Sequence, residues 1–234
     1  MTARNEAAAM PRFLIIKLDG PMQAWGGHTY EDFRPSHLFP TRSGLLGLIG
    51  ACLGLDRRDT AGQSRLADNL DFTVRADRVA VCAARDSMPQ KRPLKLPDFH
   101  TVLDARKVDR STNKYPVVSR REYLFDAVFT VAVGVRVESG ITIEQLTNAV
   151  KRPLYTPSLG RRSCPVTRPL YESTLDAADG KDALSGVEGS GLIYSETAAL
   201  ANSRPLEIRD VPMHSRHRLF GTRRVHVHAD GGED

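Results

Sequence analysis

Residues 20–55 read GPMQAWGGHTYEDFRPSHLFPTRSGLLGLIGACLGL, and the fold turns on how this stretch is read. A Gly20-Pro21 turn opens it, and the chain's one tryptophan, Trp25, follows. A loop of aromatic, glycine and basic residues comes next. At Thr41-Arg42-Ser43-Gly44 an almost uncharged run begins, which predicts a helix from about Arg42 to Leu55. Gly44, Gly47, Gly50 and Gly54 recur in it and lower its helix propensity. Close packing of a small-residue face against a sheet would offset that loss. The helix start offers free backbone N–H groups, a Ser43 hydroxyl placed to cap, and the Arg42 guanidinium, a combination suited to a phosphate. Arg42 has no capping role. It therefore reads as a solvated ligand whose loss leaves the fold alone.

Before this segment, Phe13–Leu18 is a short apolar run that predicts a buried strand. After it, Asp71–Ala76 and Arg78–Ala84 alternate and predict two strands, possible partners in a hairpin. Residues 85–120 are rich in Pro, Lys and Arg with little apolar periodicity. That is too long for an ordinary loop, so the segment is either disordered or a functional protrusion. Tyr123–Val137 predicts one long strand. Ile143–Val150 predicts a short helix with Thr142 as N-cap. A Pro/Gly-punctuated loop spans 153–165, and Val166–Leu170 predicts a strand. Residues 172–190 read as a polar, acidic linker or loop. Strand candidates at Arg204–Val211, Arg216–Phe220 and Arg223–His228 predict a small C-terminal β subdomain. The order β-α-β-β-insert-β-α-loop-β contains the split βαβ, ferredoxin-like pattern. The expected class is thus α+β: a ferredoxin-like domain over 11–171, a C-terminal subdomain over 172–228, and tails at 1–10 and 229–234.

The chain has 234 residues, 41% hydrophobic, a net charge of +5 and a pI near 9.3. It is globular by composition, and its charge favours a polyanionic partner. Basic residues cluster: Arg106, Lys107, Arg110, Lys114, Arg120 and Arg121 in one stretch, Lys151, Arg152, Arg161, Arg162 and Arg168 in another. Residues 172–196 are acidic, so a basic and an acidic face are expected. The three cysteines, Cys52, Cys82 and Cys164, have no metal-ligand spacing, and their odd number argues against a disulfide framework. MTARNEAAAM lacks the apolar core of a signal peptide, and no run reaches the length of a membrane span. A cytoplasmic protein without a membrane contact is expected.

GPMQAWG, FRPS and FPTRSGLLGLIGACLGL resemble the CasD family, the subunits of type I-E CRISPR surveillance complexes (Cascade) that hold the 5′ end of the guide RNA. DFHTVLDAR at 98–106, REYLFDAVFTVAV at 121–133 and RPLYTPSLGRRSCPVTRPLY at 152–171 agree. The resemblance runs from Phe13 to about Tyr194. It implies an RRM-like domain of the RAMP superfamily, with residues 85–120 as a thumb that orders on assembly and helps kink the guide RNA. The implied partners are the 5′ handle of the crRNA, the backbone subunit CasC and the large subunit CasA. Target DNA enters only through the complex. The implied role is non-catalytic and needs no cofactor or metal.

Several features carry the RNA reading. Leu159-Gly160-Arg161-Arg162-Ser163 can wrap N–H groups and guanidinium forks around phosphates, as the Gly-rich loop of the RAMP superfamily does. Trp25, Tyr30, Phe33 and Phe39 are candidates for base stacking, with Phe39 the one expected in the core. Arg34 and Arg42 flank the loop. The expected RNA-binding set is Trp25, Gly26, Arg34, Arg42, Ser43, His100, Thr101, Arg106, Lys107, Arg110, Arg120, Tyr155, Leu159, Gly160, Arg161, Arg162 and Ser163. The alternative is a metal-independent endoribonuclease using His28, His37 and His100 with Tyr30 and Lys95 as acid and base. Metal binding by His226 and His228, which alternate near the C-terminus, is not expected.

Overall fold

The computed structural model describes residues 10–78, 93–136, 140–197, 203–214 and 218–229. Strand β1 (Arg12–Asp19) is followed by four two-residue strands: β2 (Met22–Gln23), β3 (Trp25–Gly26), β4 (Phe33–Arg34) and β5 (Ser36–His37). Helices α1 (Arg42–Leu53) and α2 (Thr60–Asn69) come next, then β6 (Leu70–Asp77), β7 (Leu94–Val102), β8 (Val117–Phe125) and β9 (Val128–Val135). The chain continues with α3 (Ile143–Lys151), β10 (Tyr171–Asp176), α4 (Gly180–Ser185), β11 (Gly191–Ser195), β12 (Arg204–His214) and β13 (Arg218–Ala229).

A seven-stranded antiparallel sheet in the order β10-β1-β9-β6-β11-β13-β12 forms the body. In its first four strands, β1 and β6 are separated by β9, and β9 and β10 by β1. Strand β1 is apolar without alternation because both its faces are covered. Leu14, Ile16 and Leu18 join the core beneath α1 and α3, while Ile15 packs with Ala183 and Leu184 of α4. Helix α3 is N-capped by Thr142, as the sequence predicts, with a capping box closed by Gln145.

Five expectations change. The run Tyr123–Val137 breaks at Asp126, whose φ is 49°, and its halves enter different sheets: β8 the small one, β9 the body. Residues 172–190 are not a linker but hold most of β10 and α4, and the strand expected at 166–170 starts instead at Tyr171. The C-terminal strands form no separate sheet; β11, β13 and β12 extend the body. Both edges of β6 are taken by β9 and β11, and the proposed partner strand lies almost wholly outside the described residues. Residues 1–9, 85–92 and 230–234, with their expected tails and thumb start, also lie outside them.

The described part of the expected thumb is a paired hairpin. β7 and β8 run antiparallel over nine residue pairs, from Leu94↔Phe125 to Val102↔Val117. The far edge of β8 receives β2 and, in parallel, β4. The far edge of β7, with Pro97 in its middle, pairs with no described strand. Between the strands the chain bonds to itself: Asn113 N–H to Ala105 O at 2.9 Å and Lys107 N–H to Ser111 O at 2.8 Å.

The glycines of α1 divide by environment. The N-cap is Thr41, whose Oγ1 accepts the Gly44 N–H, and Ser43 has no capping role. A Cβ at Gly44 would come within 2.8 Å of the Trp25 ring, whereas one at Gly47 meets nothing within 4 Å. Gly44 therefore lets the first turn of α1 lie on a fully buried Trp25, and Gly47 is an exposed helix glycine with no packing role. Gly44→Ala is expected to destabilise by about 1–3 kcal/mol through overpacking. Gly47→Ala is expected to stabilise by about 0.5–1 kcal/mol. Urea unfolding of both variants checks this, and equal effects would remove the packing explanation.

Candidate nucleic-acid interface

An RNA-recognition fold reads bases with aromatic residues on an open sheet face. That face is closed here. Helix α4 packs over it, and Arg75, only 1% exposed, donates to Leu184 O, Val187 O and Glu188 O while pairing with Asp77 at 2.6 Å. Exposed basic side chains lie instead at the edge built by the short strands and the β7–β8 hairpin.

There, a cleft of about 360 Å³ separates the 27–35 loop from the outer end of the hairpin ladder. Asp32 and Arg34 line one side, and Val102, Val117, Val118 and Arg121 the other. Tyr30 stands exposed on the loop, and Phe33 lies beneath the Arg120 guanidinium at 5.9 Å. At the hairpin end, Arg106, Lys107 and Arg110 are exposed and have no side-chain hydrogen bond or ion pair among the described residues. Arg110 has φ 69°, so the turn holds its side chain out from a left-handed backbone position.

The Gly-rich loop behaves differently. Gly160 has φ 88°, and a Cβ there would fall 1.8 Å from Ala24 O, so only glycine fits. Leu159 is fully buried, its carbonyl accepting the Ala24 N–H at 3.0 Å. Arg161 is turned inward: it donates to Glu122 O at 2.8 Å and Arg34 O at 2.9 Å and lies 4.7 Å from the Tyr123 ring. Arg162 and Ser163 remain exposed.

The entry of α1 corrects the phosphate-cradle expectation. Arg42 is buried. Nη1 pairs with Glu196 at 2.7 Å, and Nη2 donates to Ala67 O at 2.6 Å and Leu70 O at 2.8 Å. Its backbone N–H donates to Asp210 Oδ2 at 2.7 Å, so a carboxylate of the protein itself occupies the helix N-terminus. Arg223 bridges the same Asp210 and Glu196 at 2.7 and 2.9 Å.

The chain matches the family model for CRISPR-associated protein (Cas_Cas5) over residues 13–226. The chain belongs to the Cas5 family. It is 44% identical over 227 residues to the CRISPR system Cascade subunit CasD of Escherichia coli (strain K12), covering 96% of this chain and 99% of that protein. A chain of a solved CRISPR RNA-guided surveillance complex matches with a TM-score of 0.67 and 28% identity, covering 93% of this chain and 90% of its own. A Cas protein crystal structure matches with a TM-score of 0.60 and 26% identity, covering 94% and 98%.

In this Cas5 chain the expected site residues separate into free and engaged groups. Arg106, Lys107, Arg110 and Arg162 are exposed cations with no side-chain partner among the described residues, and Thr101, Gly26 and Tyr155 are exposed. Arg34 donates to Glu31 O and Phe33 O, and Arg120 pairs with Asp32 at 3.3 Å on the surface. Trp25 cannot stack on a base: it is fully buried, with Nε1 donating to Gln23 Oε1 at 3.1 Å. Phe39 is core, as expected, stacked on Tyr194 at 4.0 Å. His100 Nε2 lies 2.8 Å from Asp98 Oδ2 and 3.3 Å from the Tyr123 hydroxyl, and Lys95 pairs with Glu122 at 2.9 Å. Arg121 and the valines of the cleft were not expected, because only the pairing of the hairpin with β4 brings them together. Among the described residues no group of His, Cys, Asp or Glu is placed to hold a metal. Cys52 and Cys164 are buried free thiols, and burial pushes the Cys52 thiol up to about 11.

Two outcomes follow for stability. Arg42→Ala leaves Glu196 short of a partner and two carbonyls unpaired, and is expected to lose about 3–5 kcal/mol. Thermal melting checks it, and an unchanged midpoint would mean that the cluster does not support the fold. Burial holds His37 and His228 below their ordinary value of 6.5, against the pull of Asp210 on His37. The unfolded chain therefore takes up protons first as pH falls through that value. Stability is full above it and declines below, and His37→Gln is expected to flatten the decline in melts from pH 7.5 to 5.

Proposed function

We propose that this chain is a non-catalytic subunit of a type I-E CRISPR surveillance complex that binds the 5′ handle of the mature crRNA. One observation carries the reading: in a near full-length relative of CasD, exposed cations project from the end of a hairpin beside an apolar-walled cleft. The order β10-β1-β9-β6, with its two split βαβ units, supports reading the body as a ferredoxin-like domain of RAMP type. The hairpin is its thumb.

In this reading Arg106, Lys107 and Arg110 meet handle phosphates, and Arg162 meets another beyond the Gly-rich loop. The cleft takes an unstacked base between the Tyr30 loop and the valines of the hairpin. The exposed apolar residues of the thumb, Phe99 and Val108 among them, face the backbone subunit CasC, and the large subunit CasA joins at the base of the complex. Assembly takes place in the cytoplasm.

Salt dependence tests the phosphate contacts. Each neutralised phosphate contributes a slope of ~0.7 for single-stranded RNA, so replacing Arg106, Lys107 and Arg110 by alanine is expected to flatten log K against log salt by about 2. Melting should not move, since none of the three touches the core. An unchanged slope and affinity would take the thumb out of the RNA site. Metal-independent, site-specific cleavage of a repeat RNA, abolished by His100→Ala, would replace this reading with an endoribonuclease.

A further inference from the structure

We propose that Arg161 is a positioning residue that sets the width of the cleft, and not a ligand to RNA phosphate. Its guanidinium joins three segments far apart in sequence. Nη1 donates to Glu122 O in β8, Nη2 to Arg34 O in β4, and the plane rests on Tyr123. Strand β4 meets β8 over only two residue pairs, Phe33↔Arg120 and Arg34↔Arg121. Beside this ladder the loop is hydrogen-bonded to β8 only by the Arg120 N–H to Asp32 O and Ser36 N–H to Glu122 Oε2 bonds, both 3.0 Å, and the surface Arg120–Asp32 pair, so few contacts fix its angle to the hairpin among the described residues. Arg161 adds two charge-assisted hydrogen bonds across the same seam from outside the ladder. Arg34 and Arg121 line the cleft as well, so the seam is also where its two walls join.

The bracket is itself anchored. Gly160, next in the chain, lies against the Ala24 carbonyl in a position no side chain can occupy, and the Leu159 carbonyl accepts from Ala24. On its other side, the ring beneath Arg161 is tied to the edge strand, because the Tyr123 hydroxyl meets His100 and His100 meets Asp98. A load on the hairpin is thus passed through β8 and Tyr123 to the loop and into the body of the protein.

Arginine is required for this geometry. A planar fork can serve two carbonyls and stack on a ring at once, and a lysine ammonium cannot. A phosphate ligand behaves differently, since lysine serves a phosphate as a point charge. The RNA part of the inference rests on the proposed function, and the positional part does not. In full-length protein carrying Cys82→Ser, with Cys52 and Cys164 buried, spin labels at Thr112→Cys and Asn148→Cys report the hairpin angle without RNA. The parent is expected to give one narrow distance distribution. Arg161→Ala and Arg161→Lys should both broaden it, and both should lose about tenfold or more in affinity for a crRNA 5′-terminal oligonucleotide. Should Arg161→Ala fail to melt cooperatively, Arg161→Gln, which keeps one donor, takes its place. A distribution unchanged by the alanine variant, or affinity restored by lysine, would overturn the assignment. A parent that binds no handle RNA, with labels responding as expected, would overturn the proposed function and leave the bracket standing.

Discussion

Four charges at the start of α1, Arg42 and Asp210 buried and Glu196 and Arg223 half-buried, tie the helix to the C-terminal strands. Arg42 and Arg223 share Glu196, and Asp210 takes both Arg223 and the Arg42 backbone N–H. Taking such ions out of water is unfavourable by several kcal/mol each, so the cluster persists only because nearly every donor is satisfied. Its geometry follows from the sheet. β13 must lie beside β11, and β12 beside β13, for Asp210 to reach the helix. Once there, Asp210 fixes the entry angle of α1, which settles Gly44 on Trp25. Trp25 in turn fixes Gln23, whose amide donates to Ala127 O at 2.7 Å just after the turn from β8 to β9. The body and the hairpin are thus oriented from one end of one helix.

Much of the core was legible locally. β1 and α3 carry their own signals, a short apolar run broken only by Lys17 for a strand buried on both faces and a Thr142…Gln145 box for a helix start. The glycines of α1 also announced close packing, though only Gly44 uses it against Trp25. What stayed hidden depends on partners remote in sequence. Nothing near Asp126 says that one apolar run must leave one sheet and enter another. The β7–β8 hairpin lacks the alternation of a half-buried strand because water reaches much of both its faces. The C-terminal strands looked like a separate unit because their neighbour in the sheet is β6, more than a hundred residues earlier.

The candidate site was legible as composition and illegible as geometry. Basic clusters at 106–121 and 151–168 were visible, but an arginine's task is set by what the fold brings to it. Arg106 meets solvent. Arg161 meets two carbonyls and a ring, and Arg42 meets a carboxylate contributed by a strand near the end of the chain. A Gly-rich, arginine-rich loop reads the same whether its guanidinium faces outward or inward, and Ala24 beside Gly160 is what turns it. Trp25 illustrates the converse: an aromatic in a polar, glycine-rich segment looks available for stacking until the helix that follows lies on it.

The edge of β7 that pairs with no described strand bears on how the protein avoids self-association. A nine-residue strand with exposed Leu94, Leu96, Phe99 and Val102 is a template for intermolecular sheet growth. Pro97 interrupts it with a residue that has no N–H to offer, and Lys95 and Asp98 place charge on either side. Proline and charge at such an edge oppose strand-to-strand pairing with a second chain. Their presence also sets a limit on engineering: a Pro97 substitution that improved the regularity of the strand would trade colloidal solubility for local order, and would be felt first as loss of yield.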